Sequence, residues 1–185
     1  MRREEALLLI KNYLSNQNLI KHCLACEATM IKLAEKLGQD KEIWGLAGLL
    51  HDLDYEITKD EPEKHTLVTA TILKEKGVPG EVIEIIKGHN ADNLGIEIKE
   101  LGQKALYVID PTTGFIVAAT LMHPTKKIKN ISLDFLLNRF KEKSFARGAN
   151  REQIKKCQEL GLSLEEFLSL VLQAMQEIAE EIGLD

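Results

Sequence analysis

Apolar residues recur along this chain three or four residues apart, which is the spacing of an α-helix buried on one face. No segment sustains the period of two that a half-buried strand requires. The segment 106–109, Leu-Tyr-Val-Ile, has residues typical of a strand, but a single strand would have no partner in such a chain. The sequence therefore predicts an all-α fold.

Glycine, proline and capping residues divide this pattern into helices. Gly38 follows one apolar run, Asp40 precedes the next, and Ser163 opens the last with a capping box. The predicted helices cover 4–14, 19–37, 40–51, 61–77, 79–89, a segment from about 99, 132–142, 151–160 and 164–182. The polar stretch 123–131 predicts a boundary between a main body, 1–122, and a C-terminal helical extension, 123–185, packed on the same core.

The composition of the 185 residues, 44% apolar and 29% charged, is that of a globular protein. A net charge of −5 argues against a surface built for nucleic-acid polymers, although a small phosphorylated substrate can still bind in a locally basic pocket. Three cysteines do not make a disulfide framework. The oligomeric state is not predicted.

The pattern of the N-terminal segment predicts an amphipathic helix rather than a signal peptide. Glu4 and Glu5 lie where a signal peptide would be basic, and no small-residue cleavage site follows. No uninterrupted apolar stretch reaches the ~20 residues that span a bilayer. We therefore expect a cytoplasmic protein that does not interact with membranes.

Four of the five histidines lie on, or at the end of, an apolar helical face. A single inward histidine is more often a hydrogen-bonded core residue than a metal ligand. Four on separate helices, one followed directly by Asp, together favour a site for a divalent metal. They are His22, His51, His65 and His89.

The segment GLLHDLDYE, residues 48–56, shows the energetic problem most clearly. Its leucines are expected to be buried, and the adjacent side chains of His51 and Asp52 would then lie in the interior as well. An unpaired buried imidazole or carboxylate costs several kcal/mol, and a bound metal would compensate for both. Glycines 45 and 48 in the same helix predict a close approach to a neighbouring helix.

Asp110 is a further candidate ligand, and its role is open at this point. Pro111 disfavours helical geometry at Asp110. Asp110 can then be the N-cap of a new helix, or the break can direct its carboxylate at the metal. Sequence physics does not separate the two.

Cys23 and Cys26 form a C-x-x-C in the middle of a predicted helix, without the further ligands of a zinc site. We interpret them as small core residues. Glu27, on the same buried arc, is either a hydrogen-bond partner of a ligand histidine or half-exposed.

The ordered set His22, His51-Asp52 and Asp110 resembles the H…HD…D signature of the HD-domain phosphohydrolases, over about residues 18–120. His65 and His89 match the two extra histidines of the two-metal branch, which includes symmetrical dinucleoside-tetraphosphate hydrolases. The C-terminal RFKEKSFARGANREQI is similar to small bacterial HDIG-type proteins. Two departures are Leu53-Asp54 in place of Ile-Gly, and Pro-Thr-Thr-Gly after Asp110 without a nearby arginine.

The resemblance implies a helical HD bundle and a phosphomonoesterase or phosphodiesterase acting on a small phosphorylated metabolite or nucleotide. His22, His51, Asp52 and Asp110 would hold one metal, His65 and His89 would complete a second, and Asp52 would bridge. His51 and Asp52 are also the expected catalytic pair. Iron or manganese is favoured, with zinc, nickel or magnesium as alternatives, and one ion remains an alternative to two. The other interpretations are a metal-binding regulatory module without turnover and a di-iron oxygenase.

Basic side chains must hold the phosphate oxygens that do not react. The candidates in the sequence are Lys126, Lys127, Lys143 and Arg147, although each is more often a solvated surface charge.

Overall fold

The computed structural model describes residues 1–142 and 144–185, and within them it is all-α, as predicted. The helices are α1 Arg3–Tyr13, α2 Gln17–Leu37, α3 Lys41–Leu50, α4 Tyr55–Thr58, α5 Leu67–Glu75, α6 Gly80–His89, α7 Ala91–Leu94, α8 Leu101–Met122, α9 Leu133–Lys141, α10 Arg151–Lys155, α11 Leu164–Glu177 and α12 Ala179–Ile182. Short 3₁₀ helices cover Ile128–Asn130 and Lys156–Leu160.

The helix ends follow the local chemistry of the sequence. Gly38 ends α2 in the left-handed conformation, with φ of 66°, and its N–H donates to the carbonyl of Ala34. The Asp40 carboxylate caps α3 by accepting from two backbone N–H groups. The predicted capping box at Ser163 is present at the start of α11.

The most extensive helix–helix contact in the bundle is between α2 and α3, and glycine makes it feasible. A Cβ on Gly48 would lie 2.8 Å from the carbonyl oxygen of Cys26, and one on Gly45 would lie 2.7 Å from the Ile31 side chain. The α2 backbone cannot move away cheaply, so α3 requires glycine at position 48. The predicted close approach is confirmed.

The long helix α8 contains Pro111, which corrects the expectation of a break there. Proline has no N–H, so the carbonyl of Tyr107, four residues earlier, has no donor within the helix. The side chain of Gln153, on α10, donates to that carbonyl at 2.7 Å. The helix continues through Pro111 because the C-terminal segment supplies the missing hydrogen bond, and Asp110 is not an N-cap.

Another difference concerns the segment before α5. The sequence predicted a helix from about residue 61, but α5 begins at Leu67 because Thr66 has a φ of 72°. The amide of Asn90 donates to the carbonyls of Pro62 at 2.9 Å and His65 at 2.8 Å, which holds this segment as a turn. The last predicted helix is likewise two, α11 and α12, separated at Ile178.

One hydrophobic core extends through the chain on both sides of residue 123. Phe167 and Val171 of α11 are fully buried in the same apolar cluster as Leu33 of α2 and Phe115 of α8. The C-terminal segment therefore contributes to the core that supports the histidines, and the division at 122/123 stays a prediction.

Helix α8 is long and apolar enough to cross a membrane by length and composition alone. Within its most apolar 18-residue window, 61% is buried inside the protein. The burial is that of a core helix. The predicted cytoplasmic location is not tested by this feature.

Candidate metal centre

Six predicted residues from five parts of the chain converge at one place in the bundle. His22 extends from α2, His51 and Asp52 follow the end of α3, and His89 is the last residue of α6. The other two are His65, in the turn before α5, and Asp110, in the middle of α8.

Asp52 lies at the centre of this cluster, and each of its oxygens faces a different pair of imidazoles. Its Oδ2 is 3.7 Å from Nε2 of His22 and 3.5 Å from Nε2 of His51. Its Oδ1 is 3.4 Å from Nε2 of His65 and 3.6 Å from Nε2 of His89. One carboxylate thus separates two nitrogen pairs.

The Asp110 carboxylate lies beside the pair His22 and His51. Its Oδ1 lies 3.0 Å from Nε2 of His22 and 3.9 Å from Nε2 of His51. Within the pairs, the Nε2 atoms of His22 and His51 are 3.2 Å apart, and those of His65 and His89 are 2.9 Å apart. These spacings suit donors around a cation, because two ligands each about 2 Å from one ion lie about 3 Å apart.

The other ring nitrogen of two histidines is fixed by a backbone carbonyl. Nδ1 of His51 is 2.8 Å from the carbonyl oxygen of Gly48, and Nδ1 of His89 is 2.6 Å from that of Ile86. A carbonyl only accepts, so Nδ1 carries the proton and Nε2 of the neutral ring keeps its lone pair. That lone pair points into the cluster.

His22 is oriented in the same sense by a hydroxyl. Thr113 Oγ1 donates to the carbonyl of Asp110 at 3.0 Å, which uses its single proton. With its proton on that carbonyl, the hydroxyl oxygen accepts from Nδ1 of His22, 3.1 Å away. His22 therefore also presents Nε2 to the cluster.

Asp54, the unexpected carboxylate of the sequence, orients His65. It is fully buried, lies 2.8 Å from Nδ1 of His65, and accepts from the backbone N–H of Thr69 at 2.8 Å. Burial opposes its ionisation, but the hydrogen bonds from His65 and Thr69 lower the pKa of Asp54. The sequence placed Asp54 near the metal ligands but gave no sign of this role.

The charges of the cluster follow from burial and the two carboxylates. Burial lowers the pKa of His51 to about 4, so its ring is neutral near pH 7. Burial also opposes protonation of His65, but Asp52 and Asp54 raise its pKa to about 9. Burial alone would raise the pKa of Asp52, yet His51, His65 and His89 hold it well below its usual range.

The donor set fits a divalent cation. Four imidazole nitrogens and two ionised carboxylates point at two neighbouring positions, and in water-excluding surroundings such groups require compensation. Nitrogen and carboxylate donors of this kind bind iron, manganese and zinc.

Glu27 and Cys26 were both predicted to lie on the buried side of α2, near the metal ligands. Glu27 is buried, but it pairs with Arg3 of α1 at 2.6 and 2.8 Å and makes no hydrogen bond to His22, His51, His65 or His89. Cys26 is buried beside the cluster, with its Sγ 3.8 Å from Nε2 of His22 and 3.7 Å from Thr113 Oγ1. Its classification as a bystander stays a prediction.

A cavity of about 280 Å³ opens onto the cluster. The carboxylates of Asp52, Asp92 and Asp110 line it, and no lysine or arginine is among its described lining residues. The remaining described lining residues are Tyr55, His65, His89, Asn90, Asn93 and Gln153.

The four predicted basic residues do not contribute to this cavity where the structure describes them. Lys126 and Lys127 follow the end of α8, which lies about 18 Å along the helix from Asp110. Arg147 lines a separate surface cavity with Lys141 and Arg151, and Lys143 lies outside the described residues. Substrate binding by these residues stays a prediction without support from the geometry.

Comparison with known proteins agrees with this geometry. The family model of the HD domain matches residues 19–113, which are 95 of the 185 residues and contain all six converging side chains. The chain belongs to the HD domain family. This places it in a superfamily of metal-dependent phosphohydrolases, whose members bind divalent metals.

Several curated proteins are similar to parts of this chain. Ribonuclease Y of Desulfotalea psychrophila is 25% identical over 138 residues, covering 74% of this chain and 26% of that protein. Ribonuclease Y of Nitratidesulfovibrio vulgaris (strain DP4) is 32% identical over 77 residues, covering 42% and 15%.

A third relative is the tRNA (cytidine(56)-2'-O)-methyltransferase of Picrophilus torridus, 24% identical over 159 residues, covering 84% of this chain and 45% of that protein. This chain thus spans less than half the length of each of these three relatives. No solved structure matches it.

Proposed function

We propose that this protein is a phosphohydrolase that cleaves a small phosphate ester at two divalent cations, iron or manganese, bridged by Asp52. The observation that supports this most directly is that the two oxygens of the Asp52 carboxylate face two different histidine pairs. A single-metal site needs only one of these pairs. His22, His51 and Asp110 would hold one cation, and His65 and His89 the other.

Bound cations of this kind supply a water of lowered pKa and neutralise charge on the phosphoryl oxygens. The chain itself fixes the positions of the ligands. All four histidines are held through Nδ1, which directs their Nε2 atoms into the cluster. Such preorganisation is where a metal site gains affinity and precision. His65, with its pKa of about 9, would release its Nε2 proton when a cation binds.

The acidic lining of the cavity determines the order of binding. The carboxylates of Asp52, Asp92 and Asp110 repel a phosphate anion. No lysine or arginine is among the described lining residues, and the imidazole of His65, protonated near pH 7 because its pKa is about 9, offsets one charge of the three. A phosphate ester therefore binds only after the cations, which invert the sign of the local potential.

The test is metal analysis joined to an activity screen. Protein purified anaerobically and supplied with iron or manganese should bind two ions per chain and hydrolyse at least one member of a phosphate-ester panel. Asp52→Asn should lose both properties, and His89→Ala should lose about one ion.

Three results would contradict the proposal. One ion per chain in both wild type and His89→Ala would exclude the two-metal arrangement. Two bound ions without turnover of any phosphate ester would favour a regulatory module, and metal-dependent consumption of dioxygen would favour an oxygenase.

A further inference from the structure

A second cavity, of about 250 Å³, lies beside the metal-site cavity and shares Asp92 with it. Its lining combines Lys104 and Lys156 with the carboxylates of Asp92 and Glu159 and the apolar side chains of Ile96 and Ile98. Tyr107 also lines it and donates from its hydroxyl to Asp92 at 2.8 Å. The second cavity therefore differs from the first in offering cations and an apolar surface.

The two cavities adjoin neighbouring faces of α8. Lys104, Tyr107 and Asp110 are spaced three residues apart, so successive side chains project on neighbouring parts of the helix. At 1.5 Å per residue, Lys104 lies about 9 Å along the axis from Asp110. A ligand bound at the metals could reach this lysine with its far end.

The C-terminal segment completes the second cavity. Gln153 of α10 lines the metal-site cavity, and Lys156, three residues later, lines the second one. The Lys156 ammonium lies 4.9 Å from the centre of the Tyr107 ring, and within the described part of the chain no carboxylate oxygen lies within 4.0 Å of it. Lys104 pairs with Glu159 at 3.5 Å, but Glu159 is half-exposed, and a pair of this kind stabilises little and is easily exchanged.

Each cavity alone is smaller than the about 300 Å³ at which small-molecule sites begin, and the two share Asp92 in their linings. We propose that Lys104 and Lys156 form an anion subsite for a second anionic group of the substrate, less than two helical turns of α8 from the metal site. The linking part of the substrate would contact Ile96, Ile98 and Tyr107. This inference rests on the proposed function and names its substrate class: phosphate esters carrying a second, distant anion.

Calorimetry with two minimal ligands tests the subsite on manganese-loaded protein. Hexyl phosphate carries one phosphate and an apolar chain, and 1,6-hexanediol bisphosphate adds a second phosphate at the far end. Wild type should bind the bisphosphate at least about tenfold more tightly, the usual value of a charge-assisted contact. The double variant Lys104→Gln/Lys156→Gln should bind both ligands with equal affinity.

The matched control is Lys99→Gln/Lys155→Gln. It removes the same charge from neighbouring positions that do not line the second cavity, and it should keep the wild-type ratio of affinities. A ratio near one in wild type, absence of binding by both ligands, or an equal loss of the ratio in the control would overturn the subsite. Manganese binding and turnover of simple phosphate esters are measured separately, so failure of the proposed function is distinguishable from failure of the subsite.

Discussion

Replacing Asp54 by Asn should weaken metal binding at the His65 side of the cluster without removing a ligand. The Asp54 carboxylate has two acceptor oxygens, one 2.8 Å from Nδ1 of His65 and one 2.8 Å from the N–H of Thr69. An asparagine amide of the same shape offers only one acceptor and places an NH₂ group where the other was.

Either orientation of the amide has a cost that can be worked out. If the NH₂ faces Thr69, a fully buried backbone donor loses its acceptor, which destabilises the fold by about 1–3 kcal/mol. If the NH₂ faces His65, Nδ1 must accept, so the proton moves to Nε2 and that atom can no longer bind a metal. Loss of such an orienting partner typically lowers metal affinity by about 10–100-fold.

The assay combines manganese titration with thermal unfolding of the metal-free protein. Asp54→Asn should show one weakened site of two, and a lower Tm. Asp60→Asn, an exposed carboxylate nearby, is the control and should behave as wild type. In a His65→Ala background, Asp54→Asn should cause no further loss of metal. Wild-type manganese affinity and stability in Asp54→Asn would refute the reasoning.

Three further predictions follow from the same structure. The double variant Cys23→Ala/Cys26→Ala should keep the metal stoichiometry, and its free energy of unfolding in chemical denaturation should fall by about 1 kcal/mol per site because both side chains are buried. Loss of metal would show that a cysteine is a ligand. In the metal-free protein, the pKa of His65 is raised to about 9, so its contribution to stability is full below pH 6.5 and is lost as pH rises through 9, whereas the pKa of His51 is lowered to about 4, so its contribution is full above pH 6.5 and is lost as pH falls through 4. The free energy of unfolding should therefore peak near pH 6.5. A profile that is flat with pH would contradict both shifts. Gln153→Ala should leave the carbonyl of Tyr107 without a donor and lower the free energy of unfolding by about 1–3 kcal/mol, whereas Gln158→Ala, on the exposed side of the same segment, should not.

The sequence by itself determined the helical class, most helix ends and the inward direction of the histidines. These properties depend on residues close in the chain: a 3.6-residue period, a glycine that can adopt positive φ, a side chain that caps its own helix. The requirement for glycine at position 48 was also visible, because an interior glycine in a helix has a cost that close packing explains.

Contacts between distant segments decided the rest. Pro111 is tolerated inside α8 because Gln153, 42 positions later in the numbering, donates to the carbonyl that proline leaves free. His65 reaches the cluster from a turn because Asn90 holds that turn, and Asp54 orients His65 because the two meet across it. Only the structure shows that Lys104 and Lys156 line the second cavity, because a charged side chain carries no sequence signal for the direction it faces until the helices pack.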